Sequence, residues 1–130
     1  MNRLLVVLMA AVLAGAAQAE PARILFHLNQ AEQAETLAVV LDEVLRDMPD
    51  AQVRVVVHGT AILRFDRDDR LAPEFRALLA KGTRIDACSV SMKRAGVAEG
   101  RLVTGIRPVP EGGIARILAL QRQGYAYIKI

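Results

Sequence analysis

Short apolar runs alternate with stretches of helical periodicity along the chain, and this alternation restricts the fold more than any other feature. Ile24, Leu25, Phe26 and Leu28 surround His27 in a run that is apolar on both faces, as a central strand of a parallel sheet must be. Leu37, Val40, Leu41, Val44, Leu45 and Met48 then recur at three- and four-residue spacing. They predict one apolar stripe on a helix over about 31–47, which Pro49 ends. A second strand is predicted over 53–57, ending at His58 and Gly59. The segment 60–69 reads as polar and irregular, and its charges continue to Arg70. Pro73 suits the first turn of a short helix running to Leu79, with Gly82 as its cap. A third strand follows over 84–87 and a third helix over about 91–95, stopped by Gly96. A weaker strand is predicted over 102–108. Ile114, Ile117, Leu118 and Leu120 mark a fourth helix that Gly124 closes, and 125–130 alternates as a half-exposed edge strand. Five strands alternating with four helices predict βαβ crossovers, hence an α/β domain with a mainly parallel five-stranded sheet and helices on both faces.

Sheets of this kind bind ligands outside the carboxyl ends of their strands. Three features fall there: His58, Cys88 and the turn of Pro110, Glu111, Gly112 and Gly113. Cys88 is the only cysteine of the chain. It ends the third strand and is followed at once by Ser89, Val90, Ser91 and Met92, where a helix can start. A sulfur at such a junction faces unpaired backbone N–H groups and the positive end of the helix dipole, both of which favour thiolate. An isolated cysteine more often simply packs in a core. His58 would hold the thiolate or relay its proton if the second and third strands are neighbours; otherwise it is a strand-end histidine bonded to a loop carbonyl.

Export is written at the start. Arg3 gives a positive amino end, residues 4–13 an apolar core, and Ala17-Gln18-Ala19 a small-x-small cleavage signal. The apolar run is too short for a bilayer, which needs about 20 residues. The expectation is a signal peptide over 1–19, cleaved after Ala19, and a single periplasmic domain over 20–130 with no membrane attachment afterwards. Seventeen basic against fourteen acidic residues leave a net charge of +3, without the basic excess expected of a nucleic-acid surface. Structural disulfides in exported proteins use cysteines in pairs, so one cysteine signals a free thiol or an intermolecular bond.

Other constellations are weaker. His27, His58 and Cys88 would make a two-nitrogen, one-sulfur metal site, but all three come from different strands and no spacing supports it. Gly112 and Gly113 would let backbone approach an anion, yet no G-x-G-x-x-G or P-loop accompanies them, and they read as an ordinary turn. Asp66, Asp68 and Asp69 lack the glycine and distal glutamate of a calcium loop and read as a solvated charge run. No cofactor is expected.

The strand-end His58-Gly59-Thr60, the segment 82–92 around Cys88, and the ending Leu120-Gln121-Arg122-Gln123-Gly124-Tyr125-Ala126-Tyr127-Ile128 resemble the DsrE/DsrF-like family, in particular its exported branch. The resemblance covers essentially all of 20–130. It implies a three-layer α/β/α flavodoxin-like domain that assembles into trimers or hexamers. In cytoplasmic relatives used in sulfur oxidation or tRNA thiolation, the cysteine matching Cys88 carries sulfane sulfur as a persulfide and passes it on. The reading that follows is a periplasmic sulfur carrier or sulfurtransferase-like protein. Cys88 would bear the sulfur, His58 would tune the thiolate, and Ser89, Ser91 and Gly59 would support the site, with a donor and an acceptor that the sequence does not name. The alternatives are a non-enzymatic oligomeric module using the strand-end cleft, and a His/Cys metal-binding protein.

Overall fold

Parallel pairing links β1 (Arg23–Leu28), β2 (Gln52–Val57), β3 (Arg84–Cys88), β4 (Arg107–Val109) and β5 (Ala126–Lys129) into one sheet of order β4-β3-β2-β1-β5. This is a computed structural model that describes residues 18–130; most of the export signal expected at 1–19 lies outside the described residues. Between the strands run α1 (Ala34–Asp47), α2 (Ala72–Ala80), α3 (Ser89–Ala95) and α4 (Gly113–Arg122).

The strand order decides where each helix lies. From β1 to β4 the chain steps in one direction across the sheet, so right-handed crossovers put α1, α2 and α3 on the same face. The last crossover travels back from β4 to the opposite edge beside β1, and the same handedness puts α4 on the other face. The two faces are therefore unequal. Ile24, Phe26, Leu28, Val53, Val55, Val57, Ile85 and Ala87 point into the main core with Leu37, Leu41, Phe75 and Met92. The α4 face has only a small core of Leu25, Val56, Ile117 and Leu120. The same face also carries His27, Asp86 and Cys88, all buried, and the partly buried Arg54.

Four local expectations change. Residues 60–69 are not simply polar and irregular: Gly59–Phe65 forms a 3-10 helix that buries Ala61, Ile62 and Phe65, with Phe65 stacked on Phe75 at 4.4 Å. Its three buried apolar residues are too few to register as a periodic stripe. The fourth strand shrinks from 102–108 to Arg107–Val109, because Leu102 instead bridges Asp66 and Val103 bonds back to Phe65. The third helix starts at Ser89, directly after Cys88. The aspartates of the charge run are not merely solvated either. Asp66 is gripped by Arg101 at 2.9 and 2.6 Å, and Asp69 by Arg64 at 2.9 Å. Among the described residues, no helix is long and apolar enough to cross a membrane.

Candidate functional site

The loop after β3 leads to one face of the sheet and the loop after β4 to the other, so a crevice opens where they part. In open α/β sheets this switch point is where ligands bind. Cys88 stands on its rim as the last residue of β3 and the N-cap of α3. The start of α4 closes over it from the other side. A Cβ on Gly112 would lie 4.0 Å from the Cys88 sulfur. One on Gly113 would lie 3.2 Å from His58 Cβ, 3.4 Å from Val56 Cγ1 and 3.5 Å from Cys88 Cβ. The glycine pair, expected to be an ordinary turn, is what allows the α4 backbone to press onto the site.

The sulfur lies among converging donors. Burial pushes the Cys88 thiol up, but the Ser91 hydroxyl and the backbone N–H groups of Ser91, Gly113 and Val90 pull it down and prevail. The thiol thus titrates below its ordinary value. Amides from two different helix starts contribute, which the sequence pattern alone suggested only for α3. The hydroxyl is itself positioned: Ser91 is buried, and its Oγ accepts the Gly59 N–H at 2.8 Å. Gly59 adopts φ +62°, and a Cβ there would stand 2.6 Å from the Asn29 carbonyl oxygen, so only glycine fits. Ser89 opens α3 half-buried and is not among the groups that hold the sulfur.

β2 and β3 are neighbours, as the pairing of His58 with Cys88 required, and both side chains flank Gly113. The sulfur's partners are nevertheless Ser91, Val90 and Gly113. The His58 ring turns to His27: His58 Nδ1 and His27 Nε2 are 2.7 Å apart, with the rings near-parallel at 14°. His27 Nδ1 in turn meets the Tyr127 hydroxyl at 2.6 Å. Burial lowers the His27 pKa to about 4, helped by His58 and Lys129, and burial with Lys129 lowers that of His58. Among the described residues, no three His, Cys, Asp or Glu side chains are gathered as a metal ion would need. His27 and His58 spend ring nitrogens on each other and Cys88 stands apart from that bond.

A cleft of about 340 Å³ lined by His58, Gly59, Thr60, Leu63, Ser91, Arg94 and Ala95 adjoins the site through His58 and Ser91, with Cys88 behind its lining. Cys88 itself is 5% exposed, so access to the sulfur is narrow. A larger hollow of about 490 Å³ sits at the amino ends of β2 and β3, between Gln52, Arg54, Arg84 and Tyr125, and its lining includes neither the cysteine nor a histidine. It is the cleft at the carboxyl ends that adjoins the chemistry.

One feature of the face escaped sequence reasoning. Asp86 is fully buried two residues before Cys88, and three arginines converge on it. Arg54 reaches Oδ2 at 2.9 Å, Arg107 reaches Oδ1 at 3.1 Å, and Arg116 Nε lies 3.4 Å from Oδ2. This ties β2, β3, β4 and α4 together directly beneath the sulfur.

Fold and site together define an open, doubly wound α/β domain with a thiol at the switch point of its sheet. The DsrE/DsrF-like family model matches residues 7–130, and the chain belongs to that family. Membership suggests a sulfur-relay-type fold. Among solved structures, a protein of unknown function, MTH1491 from Methanobacterium thermoautotrophicum, aligns with a TM-score of 0.78 at 23% identity, covering 84% of this chain and 99% of its own. The ychN protein from E. coli gives 0.74 at 12% identity, again with 84% and 99% covered. A conserved protein of unknown function, BT1422 from Bacteroides thetaiotaomicron, gives 0.66 at 18% identity over 82% and 93%. These likenesses establish the fold. A search of curated proteins returns no match.

Proposed function

We propose that this protein is an exported sulfur carrier in which Cys88 accepts and donates sulfane sulfur as a persulfide. The observation that carries the reading is the donor set on the sulfur: one hydroxyl and three backbone N–H groups, drawn from two helix starts, lower the thiol pKa against the push of burial. A residue that merely packed would have no use for them. In the loading step the Cys88 thiolate attacks the outer sulfur of a persulfide R–S–SH. The Cys88 Sγ–S bond forms, the donor S–S bond breaks, and R–S⁻ leaves with the electron pair and takes up a proton. In the unloading step an acceptor thiolate attacks the outer sulfur and Cys88 departs as the thiolate its neighbours stabilise. No net oxidation occurs. With one cysteine in the chain, the sulfur must leave to another molecule or another subunit.

The test is an intact mass of protein taken from the periplasm under non-reducing conditions. One added sulfur atom that is lost on reduction, and that Cys88→Ser cannot acquire from polysulfide while staying folded, supports the reading. A Cys88 that resists alkylation in the folded protein and titrates at or above the free-thiol value of about 8.5 overturns it, and a binding module using the cleft takes its place.

The same proposal includes location and assembly. The mature chain begins at Glu20 in the periplasm, and N-terminal sequencing that finds Met1 would contradict this. It forms a trimer or hexamer that covers the exposed Ile114 and Leu118 of α4 and the Ile128 edge of β5. Light scattering that shows a monomer at tens of micromolar would sink the assembly.

A further inference from the structure

Two partly buried hydrogen bonds run across three strands of the sheet and end at the cleft. Tyr127 on β5, His27 on β1 and His58 after β2 make one file: the tyrosine hydroxyl on His27 Nδ1 at 2.6 Å, then His27 Nε2 on His58 Nδ1 at 2.7 Å. Register explains the file, since Leu25 pairs with Tyr127 and His27 with Val56 on adjacent strands of the same sheet. The outer end is open, with Tyr127 42% exposed in the single chain. At the inner end His58 lines the cleft beside Cys88, and its Nδ1 is already engaged, which leaves only Nε2 to meet a bound molecule.

We infer that Tyr127, His27 and His58 form a proton relay that carries a proton from the outside of the protomer to a group bound in the cleft. The file has two states. In one, Tyr127 donates to His27 Nδ1, His27 Nε2–H donates to His58 Nδ1, and His58 Nε2–H faces the cleft as an acid. In the other, every bond is reversed: His58 Nδ1–H donates to His27, His27 Nδ1–H donates to the tyrosine oxygen, and His58 Nε2 faces the cleft as a base. Passing from the first to the second gives one proton to the bound group, shifts one along each bond, and takes one from water at Tyr127. Such a relay needs imidazoles that stay neutral, because a doubly protonated ring donates on both sides and stops the exchange. Burial, with Lys129 nearby, keeps His27 neutral down to about pH 4. The charged groups around the file are Lys129 on β5, which opposes protonation of both rings, and Arg94 on α3, which lines the cleft.

Resting on the carrier reading, the proton's destination is the leaving thiolate: as Cys88 Sγ bonds to the outer sulfur of R–S–SH, His58 Nε2–H protonates the departing R–S⁻ to R–SH. His58 touches the reacting molecule, whereas His27 and Tyr127 act through it and are positioning residues. The test loads the purified full chain with cysteine persulfide and compares Tyr127→Phe, which keeps the exposed ring and removes only the hydroxyl. Loading of Cys88 should fall roughly tenfold with a smaller solvent isotope effect, as expected when a general acid loses its proton supply. Alkylation of Cys88 by iodoacetamide, which needs no proton delivery, should stay unchanged. Loading at the wild-type rate with the wild-type isotope effect overturns the relay. Should the unaltered protein not load at all, the carrier reading fails, and imidazole nitrogen chemical shifts decide the relay separately. Tyr127→Phe must change the His58 tautomer ratio through His27, and an unchanged ratio overturns it.

Discussion

Gly59 donates its backbone N–H to Ser91 Oγ over 2.8 Å, and so links the end of β2 to the first turn of α3. With one lone pair of the hydroxyl occupied, its proton is free to turn to the Cys88 sulfur, and it is the strongest single influence that lowers the thiol pKa. Ser91→Ala should therefore raise the thiol pKa and slow alkylation at mildly acidic pH by about threefold to tenfold, the loss of thiolate being partly offset by the greater nucleophilicity of a more basic sulfur. The fold should survive, because only one buried hydroxyl is lost. Iodoacetamide kinetics against pH would check this, and a profile that coincides with the unaltered protein would remove Ser91 from the site.

Gly113 tests how tightly α4 is seated. A methyl there meets His58 Cβ at 3.2 Å, Val56 Cγ1 at 3.4 Å and Cys88 Cβ at 3.5 Å. Two of these atoms are fixed directly to the backbone at strand ends and cannot swing aside. Gly113→Ala should destabilise the domain by about 1–3 kcal/mol through overpacking. It should also lift the Gly113 amide away from the sulfur, so the thiol pKa rises along with the loss of stability. Denaturant unfolding and thiol titration on the same sample would show both; stability equal to that of the glycine protein would mean that the α4 start yields freely.

Asp86 neutralises a set of cations that would otherwise oppose one another. Arg54 is only 12% exposed and, among the described residues, has no acidic partner other than Asp86, which is fully buried. Removing one partner of a buried pair leaves the other uncompensated, and the typical cost is about 3–5 kcal/mol. Asp86→Ala should approach that loss, and Asp86→Asn should lose somewhat less by keeping hydrogen bonds to the guanidinium groups. Chemical denaturation would measure both variants. A loss below about 1 kcal/mol in each would mean that solvent screens the cluster.

The order of strands and helices was legible because it depends on periodicity, and periodicity is local. Residues 24–28 and 53–57 advertise buried strands, and the stripe from Leu37 to Met48 advertises a helix. Cys88 was legible as a strand-to-helix junction for the same reason. What escaped is what the sheet brings together from a distance. The turn before Gly113 was placed at the same strand ends as Cys88, but that its backbone presses onto the sulfur follows only from α4 recrossing the sheet. Tyr127 reads as one residue of an edge strand until β5 is known to lie beside β1 and face His27. Asp86 and Arg54 look like ordinary polar positions within strands, since a buried ion pair has no sequence spacing when its members come from separate strands. His58 was rightly placed at the same sheet end as Cys88, but its ring had a choice of partners that only the β1 neighbour resolves.

The paired histidines set the acid limit of the fold. Burial first, then His58 and Lys129, hold the His27 pKa at about 4, and burial with Lys129 lowers that of His58. In the unfolded chain both titrate near 6.5. Both folded-state values are depressed, so the unfolded state binds protons that the folded state refuses as pH falls. The histidine contribution is complete above about pH 6.5, drains away from there to about 4, and stops falling once folded His27 is itself protonated. Asp66 and Asp69 are also depressed, but from 3.8, so their loss belongs to lower pH and leaves the upper window to the histidines. For His27 the loss should be on the order of 2 kcal/mol, after allowance for solvent at the strand end. Urea midpoints between pH 7.5 and 4.5 should fall steadily in the unaltered protein and much less in His27→Gln, which has no proton to take up. A flat midpoint across that range would mean that the Tyr127–His27–His58 file opens and admits protons without unfolding.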